Sequence, residues 1–123
     1  MYIKNIEWLD QNEKEAITVV SDTKYEITCF ADGLQQGIND ELTKPLECVI
    51  VKNIIRSDEE DKVEKTDSSF GYHLCGRLLD RKSGLMVIGQ IKLHIQPELI
   101  PGDIDDDEQI EFDCCRIDIW EAI

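Results

Sequence analysis

The chain has few of the side chains that most catalytic and recognition chemistry uses. It contains 2 histidines, 2 tryptophans, 3 tyrosines and 3 phenylalanines in 123 residues. Two imidazoles give little material for a histidine relay or a histidine-rich metal site. So few rings cannot form the stacking platforms on which single-stranded nucleic acids are bound. Positive charge is also scarce, with 13 lysines and arginines against 27 acids and a net charge of −14. A phosphate backbone needs basic groups to replace its counterions, so a nucleic-acid partner is excluded. No apolar run approaches the roughly 18 residues of a membrane-spanning helix, so no membrane partner is expected either. A GxSxG elbow, a phosphate-binding loop, a dinucleotide fingerprint and a CxxC pair are all missing. The opening residues Met1 to Glu7 lack the basic and apolar regions of a secretion signal. The expected location is the cytoplasm, and no cofactor is expected.

What is present is alternation. Tyr25, Ile27 and Cys29 alternate with Lys24, Glu26 and Thr28, and Ile91, Leu93 and Ile95 alternate with polar neighbours. Period two marks strands with one buried and one solvated face. Residues 46–55 are apolar on both faces, as in a strand covered on both sides or bent across a barrel. Strands are expected near 2–9, 14–20, 24–31, 45–56, 70–80, 85–96 and 109–120. The expectation is a mainly β fold: a small antiparallel barrel, closed or partly open, of about six to seven strands in one domain over 1–123. The stretch Ser57-Asp58-Glu59-Glu60 fits a helix capping box and predicts one short helix near 57–66, with a frayed turn or loop as the alternative.

The segment 72–93 predicts a hairpin around Arg81-Lys82-Ser83-Gly84, with Gly84 at positive φ and Asp80 opposite Leu85. Continued without interruption, this register sets Leu78 against Val87, Gly76 against Gly89, Leu74 against Ile91 and Tyr72 against Leu93. All the apolar residues then share one face. The facing glycines leave a gap that a ligand could enter or that Trp8 or Trp120 could fill. In the last strand the apolar phase flips at Cys114-Cys115. That flip reads as a bulge or as a strand buried on both faces at its centre.

The five cysteines (Cys29, Cys48, Cys75, Cys114 and Cys115) are odd in number. Most are expected as small, reduced, buried side chains. Charge is concentrated in two places. Residues 57–69 carry six acids and two lysines, and residues 103–113 carry seven acids and no base.

The stretches Glu15–Asp22 and Tyr25–Phe30, with Pro101-Gly102-Asp103 and Arg116–Ile119, resemble small OB-like bacterial proteins of unknown function. The resemblance implies a five-stranded Greek-key barrel with a connection or short helix between its third and fourth strands, where 57–66 would sit. It implies no activity, because a shared fold does not carry a shared function.

Two candidate sites follow. Asp103, Asp105, Asp106, Asp107 and Glu108 form the densest acidic run and would meet a basic protein partner. Asp103, Asp105 and Asp107 have the spacing that opens a calcium loop. Glu108 stands where glycine is needed, however, and Cys114 where the bidentate Glu belongs, so no metal is assigned there. The second candidate is a zinc site from His73, Cys75 and His94 on the outer face of the hairpin, with Lys92 across from His73 as an opposing cation. The preferred function is a noncatalytic interaction or accessory module, such as an immunity or inhibitor protein acting on a basic enzyme. The alternative is a small metal-dependent hydrolase or other enzyme centred on His73, Cys75 and His94.

Overall fold

Nine strands account for most of the chain in the computed structural model, which describes residues 1–119. They are β1 (Tyr2–Asp10), β2 (Glu15–Ser21), β3 (Glu26–Ala31), β4 (Leu46–Arg56), β5 (Lys62–Lys65), β6 (Tyr72–Asp80), β7 (Leu85–Ile88), β8 (Ile91–His94) and β9 (Gln109–Asp118). The first three form an antiparallel meander whose turns are closed by aspartates. Asp10 accepts the amides of Asn12 and Glu13, and Asp22 accepts those of Lys24 and Tyr25. Short carboxylates bonding to the backbone two or three residues on are a standard way to reverse a chain.

The remaining strands close into a five-stranded barrel in the order β4-β9-β6-β7-β8 and back to β4. Every pairing in it is antiparallel except the closing one. There β4 meets β8 in parallel through Leu46–Leu93 and Glu47–His94. β9 pairs with β4 on one edge and with β6 on the other. The meander joins the barrel where Phe30 of β3 lies beside Asp118 of β9. Inside, Leu46, Leu74, Leu78, Met86, Ile91 and Phe112 are almost fully buried. Cys29, Cys48 and Cys114 are buried beside them. The Cys48 thiol is held protonated by its bond to Cys114 and by burial.

The mainly β barrel agrees with the expectation; the strand order does not by itself establish the OB likeness. The stretches that carried that likeness at 15–30 lie in the meander outside the barrel. The 57–66 connection joins the first and second barrel strands rather than the third and fourth. It also carries no helix. Ser57 Oγ accepts the amide of Glu59, two residues on, which closes a local turn instead of capping a helix. Residues 62–65 then pair with β6, from Lys62–Cys75 to Lys65–Tyr72.

The hairpin is right at its tip and shifted beyond it. Gly84 has φ +75°, and Asp80 pairs with Leu85. A bulge between Leu78 and Asp80 then sets Leu78 against Met86 and Arg77 against Val87. The chain turns again at Gly89-Gln90, so Ile91–His94 leaves β6 and pairs with β7 and β4. Tyr72, Leu74, Leu78, Ile91 and Leu93 are buried as expected, but Met86 and Ile88 take the place of Val87. Gly76 faces Ile110 of β9, not Gly89. No gap opens there. A Cβ on Gly76 would lie 2.4 Å from the Val87 carbonyl oxygen and 2.6 Å from Met86 Cε. Trp120, one of the two side chains expected to fill that gap, lies outside the described residues.

Candidate functional site

The acidic run occupies the loop 101–108, and the structure holds that loop from several directions. Ile104 is buried at its centre. The Arg81 guanidinium donates to the carbonyls of Ile100, Pro101 and Ile104 at 3.2, 2.7 and 2.8 Å. The Arg81 backbone amide donates to Asp106 Oδ1 at 2.7 Å. Arg56, reaching across from β4, bonds Asp103 Oδ2 at 3.0 Å and Glu108 Oε1 at 2.8 Å. The other Glu108 oxygen accepts the Asp105 amide at 2.6 Å. Arg56 first, then the Asp105 amide, hold the Glu108 carboxyl below the usual glutamate range. Asp107 takes a left-handed backbone with φ +68°, and its amide reaches the Leu78 carbonyl at 2.6 Å.

The five carboxylates therefore divide by task. Asp103, Asp106 and Glu108 fasten the loop. Asp105 and Asp107 are exposed and bond no cation among the described residues. The two remaining acids of the run belong to the barrel wall. Asp113 Oδ1 lies 2.7 Å from His73 Nδ1, and Glu111 Oε1 lies 3.6 Å from His73 Nε2. His73 first, then Asn53, draw the Asp113 carboxyl below its ordinary value.

The second acidic segment is also tied down. Asp61 accepts the Gly89 amide and the Gln109 side-chain amide, both at 2.9 Å. Tyr25 donates to its carbonyl at 3.2 Å. Lys62 bridges Glu59 and Glu64.

His73, Cys75 and His94 do not converge. β6 places His73 between Glu64 and Asp113, so acids rather than Lys92 flank it. Lys92 pairs with Val87. Cys75 is fully buried beneath the start of the 57–61 loop, with Ser57 Oγ at 3.4 Å and Gln109 Nε2 at 3.6 Å. His94 stands on β8 across from Glu47 of β4, to which it is bonded. Burial pushes the Glu47 carboxyl up, and His94 pulls it partly back. The turn at Gly89-Gln90 is the reason for the separation, since it carries His94 to the far side of the hairpin. No group of three His, Cys, Asp or Glu suited to a metal ion occurs among the described residues.

Cys114 is buried and Cys115 exposed, and both are free thiols. Ile50, which the sequence did not single out as a site, lies on β4 between Val49 and Val51, the partners of Arg116 and Cys114. Ile50 has φ +54° and is 59% exposed. The apolar double-faced pattern of 46–55 was the available signal. It fits a bent strand, but the second face is left uncovered rather than buried.

Among the described residues no helix is long and apolar enough to cross a membrane. No protein-family model matches this chain, and no curated protein or solved structure matches it either.

Proposed function

We propose that this protein is a noncatalytic binding module that recognises a basic protein partner through the acidic loop 103–108. The observation that carries this reading is the division of labour within the loop. Arg81 holds its backbone and Arg56 holds its Asp103 and Glu108 side chains, while Asp105 and Asp107 stand exposed and bond no cation among the described residues. A loop ordered in advance loses little conformational entropy on binding, so its carboxylates are presented at low cost. Negative charge on such a loop steers a basic partner into encounter. An inhibitor that covers the basic phosphate-binding site of an enzyme is one concrete form of this function. The exposed free thiol of Cys115 fits a reducing compartment such as the cytoplasm.

The test is affinity capture from the native host at low and high salt, followed by association kinetics with the captured partner. Asp105→Asn with Asp107→Asn leaves the Arg56 and Arg81 contacts in place. It is expected to slow association by roughly 10-fold and to leave dissociation nearly unchanged. Unchanged association and unchanged salt dependence would remove the loop from the interface.

A further inference from the structure

Cys75 is 0% exposed, yet it lies on the outer side of the barrel wall. Along β6 the side chains of Tyr72, Leu74 and Leu78 point into the core, and His73, Cys75 and Arg77 alternate with them. His73 is half-buried and Arg77 is exposed. Cys75, between them, is therefore buried by what crosses over it and not by the core. The cover is the connection 57–61. It leaves β4 at Arg56, which pairs with Ile110 of β9, and enters β5 at Lys62, which pairs with Cys75 of β6. β5 and β9 lie on opposite edges of β6. The chain reaches β5 only by passing over the outer side of β9 and β6. On the way Ser57 Oγ comes within 3.4 Å of the Cys75 sulfur and the Glu59 carbonyl within 3.7 Å.

The connection reads Ser57-Asp58-Glu59-Glu60-Asp61, so it brings no apolar side chain to hold it down. Its attachments are polar and sit at its two ends. The Ser57 amide donates to the Gln109 carbonyl at 2.9 Å. At the other end Asp61 gathers three elements. Its Oδ2 accepts the Gly89 amide from the turn between β7 and β8, and its Oδ1 accepts the Gln109 side chain of β9, both at 2.9 Å. Its carbonyl accepts the Tyr25 hydroxyl from the meander at 3.2 Å. Between the ends Asp58, Glu59 and Glu60 are exposed. Four consecutive carboxylates repel one another, and the bond from Lys62 to Glu59 offsets only part of that.

A segment with little apolar burial and with surface hydrogen bonds is the kind that opens while the rest of a fold stays intact. We infer that 57–61 is a strap that opens as one unit over a closed barrel, with Asp61 as its latch. Closed, it presents the carboxylates of Asp58, Glu59 and Glu60. Open, it bares the Cys75 thiol and the Gln109 amide on the wall between His73 and Arg77. The strap thereby switches one face of the barrel from acidic to neutral and thiol-bearing without any change in the core.

Thiol labelling of the full chain carrying Cys115→Ser tests this, since the exposed Cys115 would otherwise react first. The reagent is N-ethylmaleimide, which is neutral and so is not repelled by the strap, and the labelled cysteines are identified by peptide mass spectrometry. Cys75 is expected to react at least about 10-fold faster than the core thiol of Cys29. Urea below the unfolding transition should leave the Cys75 rate nearly unchanged, because a local opening exposes little surface. It should speed the labelling of Cys29, which needs the fold to come apart. Asp61→Ala should raise the ratio of the Cys75 rate to the Cys29 rate by roughly 10-fold. In hydrogen exchange of the parent chain, the Ser57 and Gly89 amides should show similar protection, weaker than that of amides within β6 and β9. Equal labelling of Cys75 and Cys29 with equal urea dependence would show that only global unfolding bares the thiol, and would overturn the strap. Asp61→Ala that speeds both thiols alike would remove Asp61 as the latch. Unequal protection of Ser57 and Gly89 would show that the two ends release separately and would overturn opening as one unit.

Discussion

The hydroxyl of Tyr72 accepts the backbone amide of Thr28 at 2.8 Å. Tyr72 belongs to the barrel and is 2% exposed, whereas Thr28 belongs to the meander. Among the described residues β3 pairs with β9 at Phe30 alone, so this bond adds to that one strand pairing between the two parts. Tyr72→Phe keeps the ring and removes the acceptor, leaving a poorly solvated amide unpaired. The variant is expected to lose roughly 1–3 kcal/mol in urea unfolding. Hydrogen exchange at Thr28 should accelerate. Exchange there as slow as in the parent would show that the bond contributes nothing.

Arg81 holds the acidic loop through three carbonyls, and a lysine cannot reproduce that fork. Arg81→Lys is expected to cost about 1–3 kcal/mol and to raise amide exchange across 101–108 while leaving β2 and β3 unaffected. If the loop exchanges no faster in the variant, its order comes from Ile104 and Arg56 instead.

Asp22 supplies the pH dependence. Burial alone would raise its carboxyl. The amides of Gln90, Tyr25 and Lys24 outweigh burial, and the net shift is downward. An acid whose folded value is depressed contributes stability that is complete above the unfolded carboxylate value, about 3.9, and lost as pH falls through the folded value. Asp22→Asn should therefore destabilise by about 1–3 kcal/mol at pH 7. The gap between variant and parent should narrow below about pH 4. Urea unfolding at pH 7, 5, 4 and 3 checks this, and a gap independent of pH would contradict it.

Gly76 is fixed by contact. A methyl group there would press on the Val87 carbonyl as well as on Met86 and Ile88. Gly76→Ala is expected to cost about 1–3 kcal/mol or more, because a backbone oxygen cannot yield as a side chain can. Leu74→Ala, in the same face, should cost about 2–5 kcal/mol. Thermal unfolding of both variants gives the comparison, and a Gly76→Ala protein as stable as the parent would mean that β7 stands farther from β6.

Much of the β architecture is legible along the chain because alternation is local. The expected strands at 2–9, 14–20 and 45–56 lie within a residue or two of those observed. The tip at Gly84 was legible for the same reason: four residues decide it. The register beyond the tip was not. Leu85-Met86-Val87-Ile88 is apolar in both phases, so its pattern cannot choose a face. The choice comes from Met86 and Ile88 packing onto Gly76. Gly89 keeps the phase of the strand it ends, so the turn there left no mark in the alternation. That turn separates His94 from His73 and dissolves the expected zinc grouping.

The sequence by itself determined the strand periodicity, the hairpin tip and the concentration of acids at 103–113. Each of these is a property of neighbouring residues or of a plain count. Tertiary structure decided that Arg56 and Arg81 would engage three of the loop's carboxylates and leave Asp105 and Asp107 out of those contacts. It also decided that Ile50 and Leu99 would line one hollow beside β4 and Ile55 another. These relations join residues tens of positions apart. They depend on which strand edges pair when the whole barrel closes, and a periodic pattern assigns a residue to a face without naming the neighbour that covers it.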